Sequence, residues 1–428
     1  MNPPDAKPKP DRRGLLIGAG AAVTATAVFG LRKPDRGGAH DVYFQGLSRA
    51  LGEAGIARPT LVVDRRRMFA NVDAAINTLA PSALPVRVVV KSLPAFGLID
   101  PIAQRLGTNL FMVFNGAMLQ HMIAEHPGAD LLLGKPLPIR EAAPFIAPAR
   151  AGGPPATLPQ WLIDTPERLS AYIEVARAAD APLRVSFEID VGLHRGGFVN
   201  AEALAAAVDI ARAEPLVQIA GLMGYDPHVP KVPDSAGAFR SVQRKYSAAV
   251  SVLMEKLGVT AETLTLNTAG SPTYKLHAEG TAGNEVAIGS AFVKPMDFDI
   301  DTLAHHEPAC FIATPVIKAL DRTHLPALEG LAGVFSFYDP NSERAFFIYG
   351  GHWLARPVSP PGLEYSDIFG RSSNQELLTG SRRVALAVDD YVFFRPTQSE
   401  ALFLQFGDIA MYDDGRVAEM IPTFPVSA

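Results

Sequence analysis

At 428 residues, 48% of them hydrophobic, the chain is long enough for two domains and can bury a large core. A net charge of −5 leaves no basic footprint for nucleic acid, which excludes that class of partner. A single cysteine, Cys310, excludes an internal disulfide and any cysteine-based zinc site.

The first 38 residues read as a separate object. A polar, Pro-rich opening leads to Arg12-Arg13, and residues 14–31 are then uncharged and largely apolar, with a small-residue stretch at Ala25-Thr26-Ala27. A basic region, an apolar region and a small-residue site in that order predict an export signal. The paired arginines before Gly14-Leu15-Leu16 resemble the twin-arginine type. The expected partner is the twin-arginine export machinery, and the expected location is the periplasm, free or anchored at the periplasmic face of the inner membrane. An uncleaved anchor is the plainer reading, since the apolar stretch is just long enough to span a bilayer. Residues 39–54 join this segment to the barrel-like region beyond it.

From residue 55 apolar runs recur at 60–63, 86–90, 110–114, 130–133, 160–163, 183–189, 218–223 and 263–266. Ala-rich helical patterns separate most of them, as at 166–179, 201–213 and 238–257. Eight alternations with continuous apolar strands predict an α/β fold, a (β/α)8 TIM-like barrel over residues 55–304. No GxGxxG follows the first run, so a dinucleotide fold lacks support. Beyond residue 305 helical periodicity disappears. Short runs at 311–320, 333–337, 345–349, 383–388, 390–394, 402–406 and 409–412 predict a mostly β C-terminal domain over 305–428. Residues 357–371, rich in Pro, Gly and Ser, read as a long irregular loop.

Barrel enzymes keep their chemistry at the C-terminal ends of the strands. The run at 86–90 stops at Lys91-Ser92-Leu93-Pro94. A lysine in a partly desolvated barrel mouth has its free amine favoured and can form a Schiff base, although a snorkelling rim lysine is the commoner case. The run at 183–189 ends in Asp190-Val191-Gly192-Leu193-His194-Arg195-Gly196-Gly197, which alone would pass for a strand-to-helix turn capped by Asp190. The run at 218–223 ends in Gly224-Tyr225-Asp226-Pro227-His228, placing a phenol and an imidazole at the same rim. Gly270-Ser271 and Gly289-Ser290 supply small residues, exposed N–H groups and hydroxyls, which is what a phosphate needs there.

These segments, in this order, resemble the fold-type III pyridoxal-phosphate enzymes, most nearly the branch of D-serine dehydratase and D-threonine aldolase, related to alanine racemase. The resemblance spans roughly residues 55–425 and rests on Arg58-Pro59-Thr60-Leu61-Val62-Val63-Asp64, on residues 86–92, and on Glu188-Ile189-Asp190-Val191-Gly192-Leu193-His194-Arg195. Residues 221–225, 270–274 and 285–290 continue it. It implies pyridoxal 5′-phosphate as cofactor, carried on Lys91 as an internal aldimine. It further implies a phosphate held by Gly270, Ser271, Gly289 and Ser290, with Arg195 and Tyr225 beside the ring or its hydroxyl.

The chain departs from that branch in two places. Where dehydratases show Lys-Thr-His-Lys, it reads Lys91-Ser92-Leu93-Pro94; where metal-dependent members place His-x-Cys or His-x-Asp, it reads Gln398-Ser399-Glu400. Gln398 and Glu400 suit zinc poorly, so no metal site is expected, and Glu400 would at most hold a hard divalent cation weakly. Without a metal another group must handle the substrate hydroxyl. His228 and His352, the latter in a Gly-rich loop that could overhang the barrel mouth, are the replacement imidazoles, with a structural role the plainer reading for His352. His121, His126, His277, His305 and His306 read as surface or junction residues. Asp64-Arg65-Arg66-Arg67 reads as a solvated face or a dimer edge. The expected protein is a pyridoxal-phosphate-dependent lyase acting on D-3-hydroxy amino acids, with an amino-acid substrate as small-molecule partner and a homodimeric assembly. An amino-acid racemase or epimerase, or a non-catalytic binder, remains the alternative.

Overall fold

The computed structural model describes residues 33–147, 157–323, 338–366 and 370–425. Residues 1–32 of the expected signal segment, 1–38, and the run at 333–337 lie outside them. Among the described residues no helix is long and apolar enough to cross a membrane.

Eight parallel strands close into a barrel: β2 (Val86–Val89), β3 (Leu110–Val113), β4 (Asp130–Leu133), β5 (Gln160–Ile163), β6 (Leu183–Glu188), β7 (Val217–Met223), β8 (Thr265–Thr268) and β9 (Glu285–Ile288). The expected helices surround it at Pro166–Ala179, Ala201–Arg212 and Ser235–Leu257. Thr165, Asn200 and Asp234 cap them by accepting backbone N–H groups that the first turn leaves unpaired. Asp190 does not cap a helix. Its carboxylate accepts from Gly192 N–H and His194 N–H and folds the turn after β6 onto itself.

The barrel is as predicted, but one of its strands is not the expected one. The run at 60–63 forms β1 (Thr60–Asp64), which lies outside the barrel between β10 (Cys310–Leu320, antiparallel) and β16 (Ile409–Asp413, parallel). The barrel closes instead through β9, a segment expected only as a phosphate loop. An apolar run buried on both faces looks the same in a barrel as in a covered sheet. Leu61 and Val63 pack on the barrel-side core, while Val62 packs with Leu47 and Leu51 of helix Val42–Glu53 on the other face.

The C-terminal half contributes the rest of a nine-stranded sheet, ordered β13-β14-β11-β10-β1-β16-β17. Here β11 is Arg344–Tyr349, β13 Glu364–Tyr365, β14 Gln375–Gly380 and β17 Arg416–Ile421. Strand β15 (Tyr391–Pro396) pairs with β10 and β12 (Ala355–Ser359). Two expected runs are not strands: 383–388 is a turn, and in 402–406 Leu402 and Phe403 plug the core from a turn, so burial was read there as strand character. The expected irregular loop carries β13 and most of β12.

The barrel interior holds a polar belt four residues below Lys91. Arg87 is fully buried and donates from Nε and Nη2 to both carboxylate oxygens of Glu285, at 2.6 and 2.9 Å. It also donates to the carbonyls of Phe111 and Asp130 and pairs with the Asp130 carboxylate at 2.9 Å. Arg184, Gln160, Ser186 and Asn267 complete the belt, so its polar groups are paired rather than stranded in a dry core.

Candidate active site

Strand ends bring the candidate residues to one mouth. A cavity of about 540 Å3, counting its open mouth, is lined by Lys91, Arg195, Tyr225, Gly270, Ser271, Gly289, Ser290 and Glu400, with apolar walls that include Met112, Phe114, Met223 and Phe298. His228 and His352 do not line it. The Gly350 backbone bridges to Gln375 and the His352 N–H donates to Glu376 Oε2 at 2.7 Å, so β14 holds this loop and it does not overhang the mouth as expected. His228 packs behind the turn after β6. Its Nε2 lies 3.2 Å from where a Cβ on Gly192 would stand, and Gly192 has φ +127°, so that turn requires glycine twice over.

Two other histidines are more deeply placed than their sequence context suggests. His277 is fully buried, its Nε2 2.9 Å from Asp226 Oδ2, while Thr273 donates to the other Asp226 oxygen at 2.6 Å. His306 is buried 2.7 Å from the Tyr274 hydroxyl, and burial with neighbouring His305 pushes its imidazole down to about 3. Both are reached by contacts across the fold that no local pattern announces.

Lys91 lies in the short turn Val90–Ser92 that ends β2. Its ammonium sits 4.5 Å above the Phe114 ring and 3.7 Å from Glu400 Oε1. Arg195 stacks its guanidinium over the Tyr225 ring at 5.0 Å and reaches Glu188 at 3.9 Å. Burial pushes Glu188 up, against the pull of Arg195. It also pushes the Tyr225 phenol up to about 12, so at neutral pH this hydroxyl stays protonated.

The phosphate cradle can be tested on its own atoms. Gly289 N–H and Ala291 N–H both donate to Ser271 Oγ at 3.1 Å, so two amides and a hydroxyl converge on one point. A Cβ on Gly270 would meet Tyr225 at 2.4 Å, and one on Gly289 would meet Val89 and Ser92 at 2.8 Å, so both positions exclude a side chain. Converging amides without intervening side chains are what an anion takes up in place of the hydroxyl. These residues fit pyridoxal phosphate: Ser271, Gly289 and Ala291 would hold its phosphate, and Lys91, lining the same cavity, would be the amine available to its aldehyde.

Sequence reading missed the Ala291 amide and placed the Ser290 hydroxyl with the phosphate. Here Ser290 Oγ lies 3.1 Å from both Ser92 Oγ and Ser399 Oγ, and faces Glu400. Gln398 turns away to Asp297 at 3.0 Å, so it and Glu400 do not converge. Among the described residues no group of three or more His, Cys, Asp or Glu side chains could hold a metal ion.

Fold and site together define a (β/α)8-barrel protein with a lysine facing an anion cradle. The chain belongs to the family described as alanine racemase, N-terminal domain, which matches residues 63–295, and so to the fold-type III pyridoxal-phosphate enzymes. Solved structures share its architecture at low identity. D-threonine aldolase from Filomicrobium marinum aligns at TM-score 0.67 and 17% identity, covering 85% of this chain and 94% of that one. D-threo-3-hydroxyaspartate dehydratase from Delftia sp. HT23 aligns at 0.65 and 14%, covering 85% and 97%. Alanine racemase from Clostridium difficile 630 aligns at 0.65 and 10%, covering 87% and 100%. No curated protein matches the chain.

Proposed function

We propose that the chain is a pyridoxal-phosphate-dependent lyase that cleaves or dehydrates D-3-hydroxy amino acids. The observation that carries this is the shared cavity: Lys91, the cradle at Ser271, Gly289 and Ala291, and one carboxylate, Glu400, face one another across its walls. Bound there, the cofactor supplies an electron sink for the bond that breaks at Cα. Lys91 holds the cofactor and moves the Cα proton, Arg195 fixes the Tyr225 ring, and Phe114, Met112 and Phe298 keep water off the reacting carbons. Two of the solved structures of like architecture are named for D-3-hydroxy amino acids, which supports this substrate class.

A racemase would need two acid–base groups on opposite faces of Cα, with Lys91 on one of them. The test incubates cofactor-loaded protein with the D and L forms of threonine and serine. Glycine with acetaldehyde, or a 2-keto acid with ammonia, is expected from the D forms. Racemised amino acid as the sole product would overturn the reading.

We infer also that the protein is exported by the twin-arginine route, from Arg12-Arg13 ahead of the uncharged stretch at 14–31. Arg12→Lys with Arg13→Lys should strand folded protein in the cytoplasm on cell fractionation, since lysine lacks the planar guanidinium fork. Delivery that continues unchanged would rule that route out.

A further inference from the structure

Glu400 enters the cavity from the C-terminal half, on the turn after β15, and three segments of the chain meet around its carboxylate. Ser92 Oγ donates to Oε1 at 2.8 Å, and Ser290 Oγ, whose one proton is shared with Ser92 Oγ, lies 3.3 Å from the same oxygen. Ser399 Oγ donates to Oε2 at 3.3 Å. All three serines are buried, and their hydroxyls are linked through Ser290 at 3.1 Å on either side. Lys91 Nζ stands 3.7 Å from Oε1. A carboxylate offers about four lone-pair sites. Oε1 accepts from Ser92 and faces Ser290 and the lysine, whereas Oε2 has the single long contact from Ser399. Three buried hydroxyls thus fix the orientation of a carboxylate whose second oxygen keeps capacity to accept.

The residues lining this cavity leave few groups able to exchange a proton with a substrate hydroxyl. Arg195 stays protonated, as guanidinium groups do in proteins. The Tyr225 phenol is held protonated by burial, and Lys91 is committed to the cofactor and the Cα proton. His228 and His352 lie outside the lining. Glu400 is the one carboxylate among the described lining residues.

We propose that Glu400 is the acid–base group for the 3-hydroxyl of the substrate, a role that rests on the lyase reading above. In aldol cleavage its carboxylate takes the hydroxyl proton, and the O–H electron pair becomes the second bond of the new carbonyl at C3. The Cα–C3 bond breaks with its electron pair left on Cα. Cα then regains one proton, so aldehyde and glycine leave with the atoms of the substrate. In dehydration Lys91 takes the Cα proton, the Cα–H electron pair becomes the Cα–C3 double bond, and the C3–O pair leaves with the hydroxyl, which Glu400, protonated, turns into water. The released enamine is then hydrolysed to 2-keto acid and ammonia.

The test compares wild-type and Glu400→Gln holoenzyme in three measurements. One is turnover of D-threonine or D-serine. Another is solvent-deuterium exchange at Cα of D-alanine, which has no 3-hydroxyl. The third is the visible absorbance of bound cofactor, with borohydride fixation to Lys91. Turnover is expected to fall by about 10²–10⁴-fold, the usual loss on removing a positioned acid or base, while exchange changes less than about tenfold. The cofactor band and its fixation to Lys91 should persist. Parallel losses of turnover and exchange would show that Glu400 only positions Lys91, and full turnover by the variant would show that it does nothing; either overturns the assignment alone. Wild-type turnover that vanishes with chelator and returns with Mn2+ would make Glu400 a metal ligand and overturn it too. A wild-type enzyme that exchanges D-alanine but neither cleaves nor dehydrates any D-3-hydroxy acid would overturn both this role and the lyase reading.

Discussion

Lys91→Ala protein should fold normally, take up pyridoxal phosphate weakly, and lose the covalent link that borohydride fixes in the wild type. Lys91 is 39% exposed at a strand end, its ammonium held by Phe114 and Glu400 rather than by the core, so its removal leaves no cavity and little loss of stability. The cradle at Ser271, Gly289 and Ala291 does not depend on it, and should still take the phosphate. Turnover should fall by on the order of 10⁴-fold or more, because the variant loses both the anchoring amine and the nearest mover of the Cα proton. Gel filtration followed by absorbance reads the cofactor, and peptide mapping after reduction reads the attachment point. Cofactor fixed to another lysine, or turnover close to wild type, would remove Lys91 from the centre of the site.

Arg87→Met is expected to be the most damaging substitution for stability. The guanidinium is fully buried among Glu285, Asp130 and two carbonyls, and methionine keeps the unbranched apolar stem but ends short of the guanidinium and has no donors. Removing Arg87 leaves the Glu285 carboxylate without a cation inside the barrel and Asp130 with Arg184 alone, a loss of about 3–5 kcal/mol. For a chain of this size that corresponds to a fall in Tm on the order of 10 °C. Adding Glu285→Gln to Arg87→Met should recover part of the loss, since it removes the stranded charge. Urea unfolding that places Arg87→Met within about 0.5 kcal/mol of wild type, the range of ordinary surface substitutions, would show the belt to be dispensable.

The same belt gives the protein an acid limit. Burial pushes Asp130 up, but the Arg87 and Arg184 cations outweigh it and hold the carboxyl below its ordinary range. A group depressed in the folded state contributes stability that is complete above its unfolded value. That contribution is lost as the pH falls through the folded one.

The sequence by itself determined the class of fold and most of the polar residues that line the cavity. The count of alternations and the positions of Lys91, Arg195, Tyr225 and the two Gly-Ser pairs are local features. A strand end, a cap or a turn glycine is specified by residues within a few positions of itself. Which apolar run closes the barrel was not legible, because Thr60–Asp64 and Glu285–Ile288 are short buried segments of similar character, and pairing is settled by partners far along the chain. The same holds for Arg87, which sits in an apolar run and finds Glu285 nearly two hundred residues away. Glu400 shows the limit most plainly. Beside Gln398 it resembled a failed metal motif, yet the chain turns the two side chains apart and delivers the carboxylate to Lys91 and to Ser92 and Ser290 at distant strand ends. Only the tertiary structure decided that, since a side chain's chemistry depends on what long-range packing sets within a few ångströms of it.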